Sequence, residues 1–102
     1  MKQYDKLIRD KIPEIIEKSG RSCITEVLSD AECLRYLNKK LLEEANEYLE
    51  SEEIEELADL EEVLRAILKL RNVSYEEFEE MRNKKSDERG SFDKKLLLKE
   101  TD

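Results

Sequence analysis

The chain predicts a mostly α-helical bundle, completed by oligomerisation, on three observations. Leu, Glu and Lys recur at helical spacing, while two Gly, one Pro, four Tyr, two Phe and no Trp leave little material for a β-sandwich. Two capping boxes, Ser29-x-x-Glu32 and Ser74-x-x-Glu77, mark helix starts. Two apolar stripes follow a 3.6-residue period: Leu34, Leu37, Leu41, Ala45 and Tyr48, then Leu57, Leu60, Leu64, Ile67 and Leu68. With 102 residues, 38% hydrophobic and 45% charged, residues 1–102 form one domain whose modest core calls for a partner copy, in a homodimer or tetramer.

Each element has its own signal. Residues 6–11 precede a short helix, with Asp10 as candidate cap and Pro13 in its first turn, ending at Ser19 and Gly20. Residues 22–28 read as extended. Ser29 opens a long helix to about Glu50. Ser51, followed by Glu52 and Glu53, caps a second one ending near Arg71, and Ser74 caps a third to about Lys85. After a turn at Gly90, the apolar Leu96, Leu97 and Leu98 suggest a short two-stranded β element made of residues 22–28 and 94–99.

No Gly or Pro marks a break near Ser51, so residues 31–71 read either as one helix or as a hairpin. A single helix at 1.5 Å per residue separates Glu47 from Asp59 by about 18 Å, too far to share a metal. Across residue 51, however, the apolar stripe jumps by roughly a third of a turn, which a straight amphipathic helix does not require. The hairpin is therefore the expected form.

Between Leu41 and Leu64 the chain carries eleven acidic residues and no Lys or Arg, so this stretch holds −11 of a net −8 and the remainder sums to +3. Inside it sit Glu44-x-x-Glu47 and Glu56-x-x-Asp59, each pair on one face of its helix. A solvated Glu-rich face is normally laced with Lys at spacing three or four. Of these four residues only Glu44 has such a neighbour, Lys40. Two carboxylates about 4 Å apart repel by roughly 4 kcal/mol at a surface-like dielectric, so convergence of the four is costly unless a cation or distant basic side chains neutralise them. Glu44 borders Leu37 and Tyr48, and Glu56 projects between Val63 and Ile67, so both charges are half sunk in apolar faces and need partners. Glu50, Glu53, Glu55 and Glu62 read as solvating.

Other chemistries are disfavoured. There is no His, and Cys23 and Cys33 have no metal-ligand spacing, so they read as small buried hydrophobes and zinc or nucleophilic-triad chemistry is set aside. No apolar run approaches the roughly 20 residues of a membrane span and no signal peptide opens the sequence, so a cytoplasmic protein without membrane contact is expected. The acidic balance disfavours nucleic acid. It leaves room for a small polyanion between a metal and basic residues, as a nucleotide phosphate requires.

The strings LLEEANEYLES and EELADL resemble the all-α nucleoside triphosphate pyrophosphohydrolases, which include MazG-like enzymes, phosphoribosyl-ATP pyrophosphohydrolases and all-α dUTPases. Their ExxE, spacer, ExxD signature falls on Glu44, Glu47, Glu56 and Asp59. The resemblance widens to most of the chain in a small branch with an opening like YDKLIRDKIPEII and a closing block like Lys85-x-x-x-Arg89-Gly90-x-Phe92. Two features depart from the pattern: the spacer between Glu47 and Glu56 is short, and Ser91 stands where a second Gly is expected.

The resemblance implies hydrolysis of a nucleoside triphosphate between its α and β phosphates, giving monophosphate and pyrophosphate in a house-cleaning role with Mg²⁺, or Mn²⁺ as substitute. Hard Mg²⁺ prefers oxygen ligands, which suits four carboxylates without His or Cys. Glu44, Glu47, Glu56 and Asp59 are then the metal ligands, and Glu43, Glu44 and Glu47 the catalytic carboxylates, with no sequence argument selecting the base. Lys40 either reaches a phosphate or pairs with Glu44. Lys85 and Arg89 match the phosphate-contacting block, Arg89 with a fork suited to phosphate oxygens. Arg9 and Lys11 are substrate-binding candidates through the resemblance alone. The aromatics, Tyr4, Tyr36, Tyr48, Tyr75, Phe78 and Phe92, read as core or dimer contacts, with Phe92 the one best placed to face a base. Two alternatives remain: phosphoribosyl-ATP hydrolysis, and a non-catalytic acidic helical module that binds a basic protein.

Overall fold

A computed structural model describes residues 4–102. Four helices follow in order: α1 (Ile12–Lys18), α2 (Asp30–Ser51), α3 (Ile54–Leu70) and α4 (Tyr75–Arg89). The described residues are all-helical and contain no strand. The expected β element of residues 22–28 and 94–99 is therefore absent. Ile24, Val27 and Leu96–Leu98 are all exposed, and without a sheet face to cover, an apolar run has nothing to fix its register.

The helix ends show why these segments stop where they do. Ser29 Oγ accepts the Glu32 N–H and Ser74 Oγ that of Glu77, as the capping boxes require. Asp10 is not a cap: Lys11 holds that position of α1 without a side-chain bond, and Pro13 occupies the first turn. α1 and α3 close alike. Gly20 (φ +89°) and Asn72 (φ +58°) stand just past the ends, and paired backbone bonds run from Gly20 and Arg21 to Glu17 and Ile16, and from Asn72 and Val73 to Lys69 and Leu68. α4 runs past Lys85 to Arg89 and is closed by Gly90 at φ +83°.

The chain does double back after Ser51. Glu52 takes the left-handed conformation (φ 56°, ψ 23°) and donates its N–H to the Tyr48 carbonyl, ending α2. Ser51 is the last residue of α2 and not the cap of α3, a place that falls to Glu53 without a side-chain bond. Its hydroxyl still serves both sides of the turn: it donates to the Glu47 carbonyl and accepts the Glu53 N–H, each at 3.2 Å.

α2 and α3 pack along their apolar stripes, α3 meets α4 briefly, and α1 touches no other helix. Leu37 and Val63 are the buried hydrophobic residues; the remaining stripe residues are half-buried, apart from Leu57, which is exposed. Cys23 and Cys33 are also half-buried and free, not the buried hydrophobes expected. The radius of gyration is 18.2 Å, against about 13 Å for a compact domain of this length. The accessible surface of 9766 Å² likewise exceeds the roughly 6,000 Å² of a compact 12 kDa monomer. A single chain is thus a helical hairpin with appendages, and much of its apolar surface is uncovered.

Glu52 carries the steric cost of a left-handed non-glycine residue. Glu52→Gly is expected to stabilise the chain by about 0.5–1 kcal/mol, net of glycine's extra chain entropy, as an upward shift of the urea midpoint at constant m-value.

Candidate metal centre

The hairpin faces the two carboxylate pairs across one interface. Residues three apart on a helix share a face, so Glu44 and Glu47 look from α2, and Glu56 and Asp59 from α3. One oxygen each from Glu44, Glu56 and Asp59 lies within 4.8 Å of the others. Glu47 is more exposed and outside that trio, yet its charge acts on both Glu44 and Glu56.

The electrostatics are those of crowded like charges. Desolvation, then Glu47, pushes the Glu44 pKa above its ordinary 4.5, with Asp59 adding to the rise and Lys40 opposing it. Glu56 is also raised, first by desolvation and then by the charges of Glu47 and Asp59. Lys40 Nζ stands 3.8 Å from Glu44 Oε1, so of the two roles open to Lys40 the chain displays the ion pair. The Glu44 side chain retains 12% of its exposure. Its other oxygen, Oε2, is buried without a hydrogen-bond partner. A carboxylate that meets two others and keeps one oxygen buried without a partner is a position that a cation satisfies.

Arg9 brings a cation from a distant part of the chain. Its Nη2 donates to Asp59 Oδ1 at 2.7 Å across fifty residues of sequence. Both side chains are about half exposed, so this pair adds little stability. Its consequence is positional: it lays the segment before α1 over the rim of the carboxylate cluster.

The remaining candidates lie elsewhere. Glu43 is exposed and shares with Glu47 the wall of a cavity beside the cluster. Lys11 is exposed at the start of α1 and forms no ion pair among the described residues. Lys85 and Arg89 are exposed and sit ten and fourteen residues beyond Tyr75, roughly 15–21 Å along α4. Neither pairs with the cluster. Phe92 is exposed and packs against no base-sized cleft, while Tyr36 carries Lys39 Nζ 5.3 Å over its ring. Tyr75 stacks under Arg65, 3.9 Å from the ring centroid, and donates to Glu61 Oε1 at 2.8 Å. That trio fixes the start of α4 and lies away from the carboxylates. Sequence reasoning did not find the contributions of Lys6, Tyr36 and Lys39 to the cavity. The spacing from Tyr36 through Lys40 and Glu43 to Glu47 does place that wall on one helical face, but nothing local pointed to Lys6.

The residues present fit a divalent ion such as Mg²⁺ or Mn²⁺. The donors are all oxygen, three of them converge, and one is a buried acceptor without a partner. Comparison of the chain with models of known protein families, with curated proteins and with solved structures finds no match. No helix among the described residues is long and apolar enough to cross a membrane.

Between the ordinary 4.5 and their raised values, folded Glu44 and Glu56 hold protons that the unfolded chain has released. In chelator, thermal stability is therefore expected to rise as the pH falls from neutral toward 4.5, opposite to the usual carboxylate trend. Glu44→Gln should raise the neutral-pH melting temperature and flatten that slope.

Proposed function

We propose that this chain is a divalent-metal-dependent nucleoside triphosphate pyrophosphohydrolase. It hydrolyses the bond between the α and β phosphates and releases a nucleoside monophosphate and pyrophosphate. One observation carries the reading: carboxylate oxygens of Glu44, Glu56 and Asp59 lie within 4.8 Å of one another, and one oxygen of the Glu44 carboxylate is buried without a hydrogen-bond partner. The sequence order of these residues and their flanking blocks, which resemble the all-α pyrophosphohydrolases, supports the same activity.

Glu44, Glu47, Glu56 and Asp59 would hold Mg²⁺ or Mn²⁺, and the bound ion would supply Lewis-acid polarisation and neutralise charge on the phosphates. The chain's own residues do the rest. Water adds to the α phosphorus as the α–β bridge breaks, pyrophosphate leaves, and Glu43 or Glu47, the two exposed carboxylates, takes the proton of the attacking water. Lys40 and Arg9 already sit on the ligand carboxylates and are placed to pass to phosphate oxygens when substrate enters. Lys11, Lys85 and Arg89 stand apart in the single chain, so in this reading they bind substrate only once assembly brings them in.

The assembly is part of the proposal. Leu42, Leu49, Ile54 and Leu57 are exposed along the α2–α3 hairpin and form an apolar face that a second copy could cover. A second copy covering that face in a homodimer, or two such pairs in a tetramer, completes the bundle. Cytoplasmic nucleotides are the proposed substrates, which sets the proposed location.

Two experiments test this. A Mg²⁺-dependent screen of triphosphates with products resolved should yield pyrophosphate and monophosphate, and Glu56→Gln should lower turnover by about 10²-fold or more with unchanged circular dichroism. Absence of Mg²⁺-dependent turnover refutes the activity and leaves a non-catalytic helical module, whereas turnover insensitive to chelator or to that substitution refutes the metal-centre assignment. Independently, sedimentation should report a dimer or tetramer, and Leu49→Glu should shift it toward monomer.

A further inference from the structure

A cavity of about 290 Å³ opens beside the carboxylate cluster, between the N-terminal segment and one face of α2. Its lining includes Lys6 from the segment and Lys39 and Lys40 from α2, together with Glu43 and Glu47, the latter a candidate metal ligand. Among the described residues Lys6 and Lys39 have no carboxylate partner, and Lys40 is engaged only at 3.8 Å by Glu44. Lys39 is held in place over the Tyr36 ring. Three cations thus line one cavity, and an anion that brings a counter-cation for the cavity's three carboxylates can pair with them.

We propose that this cavity is the polyphosphate subsite of the metal centre, where Lys6 and Lys39 hold the phosphate groups that become the pyrophosphate product. The inference rests on the function proposed above and adds the residues that bind the leaving end of the substrate. It also fixes an order of dependence. Asp5, Glu43 and Glu47 line the same cavity, so its lining is charge-balanced and a bare polyanion gains nothing by entering. A polyphosphate carrying a divalent ion brings its own countercharge to Glu47 and the cluster behind it. The cavity therefore takes the metal complex and excludes the free anion, and each ligand strengthens binding of the other. The Arg9–Asp59 pair anchors the segment that carries Lys6, so the lysine wall and the metal centre share one anchor.

The test is calorimetric titration of the full-length protein with inorganic pyrophosphate, in Mg²⁺ and in chelator, with Mn²⁺ binding followed separately by electron paramagnetic resonance. Wild type should bind pyrophosphate in Mg²⁺ and not in chelator. K6Q/K39Q should weaken that binding by about tenfold or more and raise KM for a triphosphate while keeping Mn²⁺ affinity within about twofold. The double change K94Q/K99Q, of equal charge in the C-terminal tail, should alter neither. Pyrophosphate binding retained in K6Q/K39Q, lost equally in K94Q/K99Q, or indifferent to Mg²⁺ overturns the subsite even when Mn²⁺ binds and triphosphates turn over. Absence of Mn²⁺ binding to wild type overturns the metal centre and, with it, the subsite.

Discussion

The structure is governed by a single electrostatic constraint: a left-handed turn at Glu52 folds two acidic helices onto each other and confines carboxylates of like charge to one interface. Packing of Leu37 and Val63 with the half-buried residues around them drives the approach, while the charges resist it. The chain answers in three ways. Lys40 leans on Glu44 from one turn away, Arg9 reaches Asp59 from the far end of the sequence, and Glu44 and Glu56 retain their protons above the usual pH. None of these satisfies the buried Oε2 of Glu44. A divalent ion held by these carboxylates would do so in one step, which is why the carboxylate geometry carries the functional proposal.

The same constraint explains how little of the chain is buried. Acidic residues fill so much of α2 and α3 that each helix has a single apolar stripe, which joins the two and leaves α4 only a brief contact with α3. α4 attaches at its first turns, where Arg65, Tyr75 and Glu61 meet, and then leaves the hairpin. Exposed leucines and isoleucines along the hairpin therefore have no intramolecular partner. The proposed second copy would supply that cover, in line with the way small helical domains with thin cores gain stability.

Fold alone would not justify an enzymatic reading, since helical hairpins serve many purposes. The site narrows the choice. Oxygen-only donors select hard cations, and those cations bridge phosphates. In the proposed reading, the adjacent cavity lined by Lys6, Lys39 and Lys40 would supply the complementary half of a nucleotide site, with ammonium groups beside the candidate metal ligands. The N-terminal segment unites them, because Arg9 and Lys6 sit three residues apart on it and meet different halves of the centre.

Local chemistry was enough to read the helices from the sequence. Ser29 and Ser74 form caps with residues three positions away, Gly20 ends α1 by its own backbone freedom, and the phase jump of the apolar stripe betrayed the hairpin without any Gly or Pro to mark it. The pairing of ExxE with ExxD was legible because helical spacing alone sets each pair on one face. Where the outcome depended on distant partners, the sequence misled or was silent. Leu96–Leu98 suggested a strand that no neighbouring strand supports, and Ser51 resembled an N-cap although Glu53 holds that position. The ion pair between Arg9 and Asp59, the lysine wall that includes Lys6 and the stranded oxygen of Glu44 belong to the tertiary structure, because each arises when segments far apart in sequence meet in space. Sequence therefore determined which residues form helices and which faces they present, through interactions spanning one turn. Tertiary packing decided which charges meet and which are left without a partner, through Coulombic and steric terms that depend on three-dimensional distance.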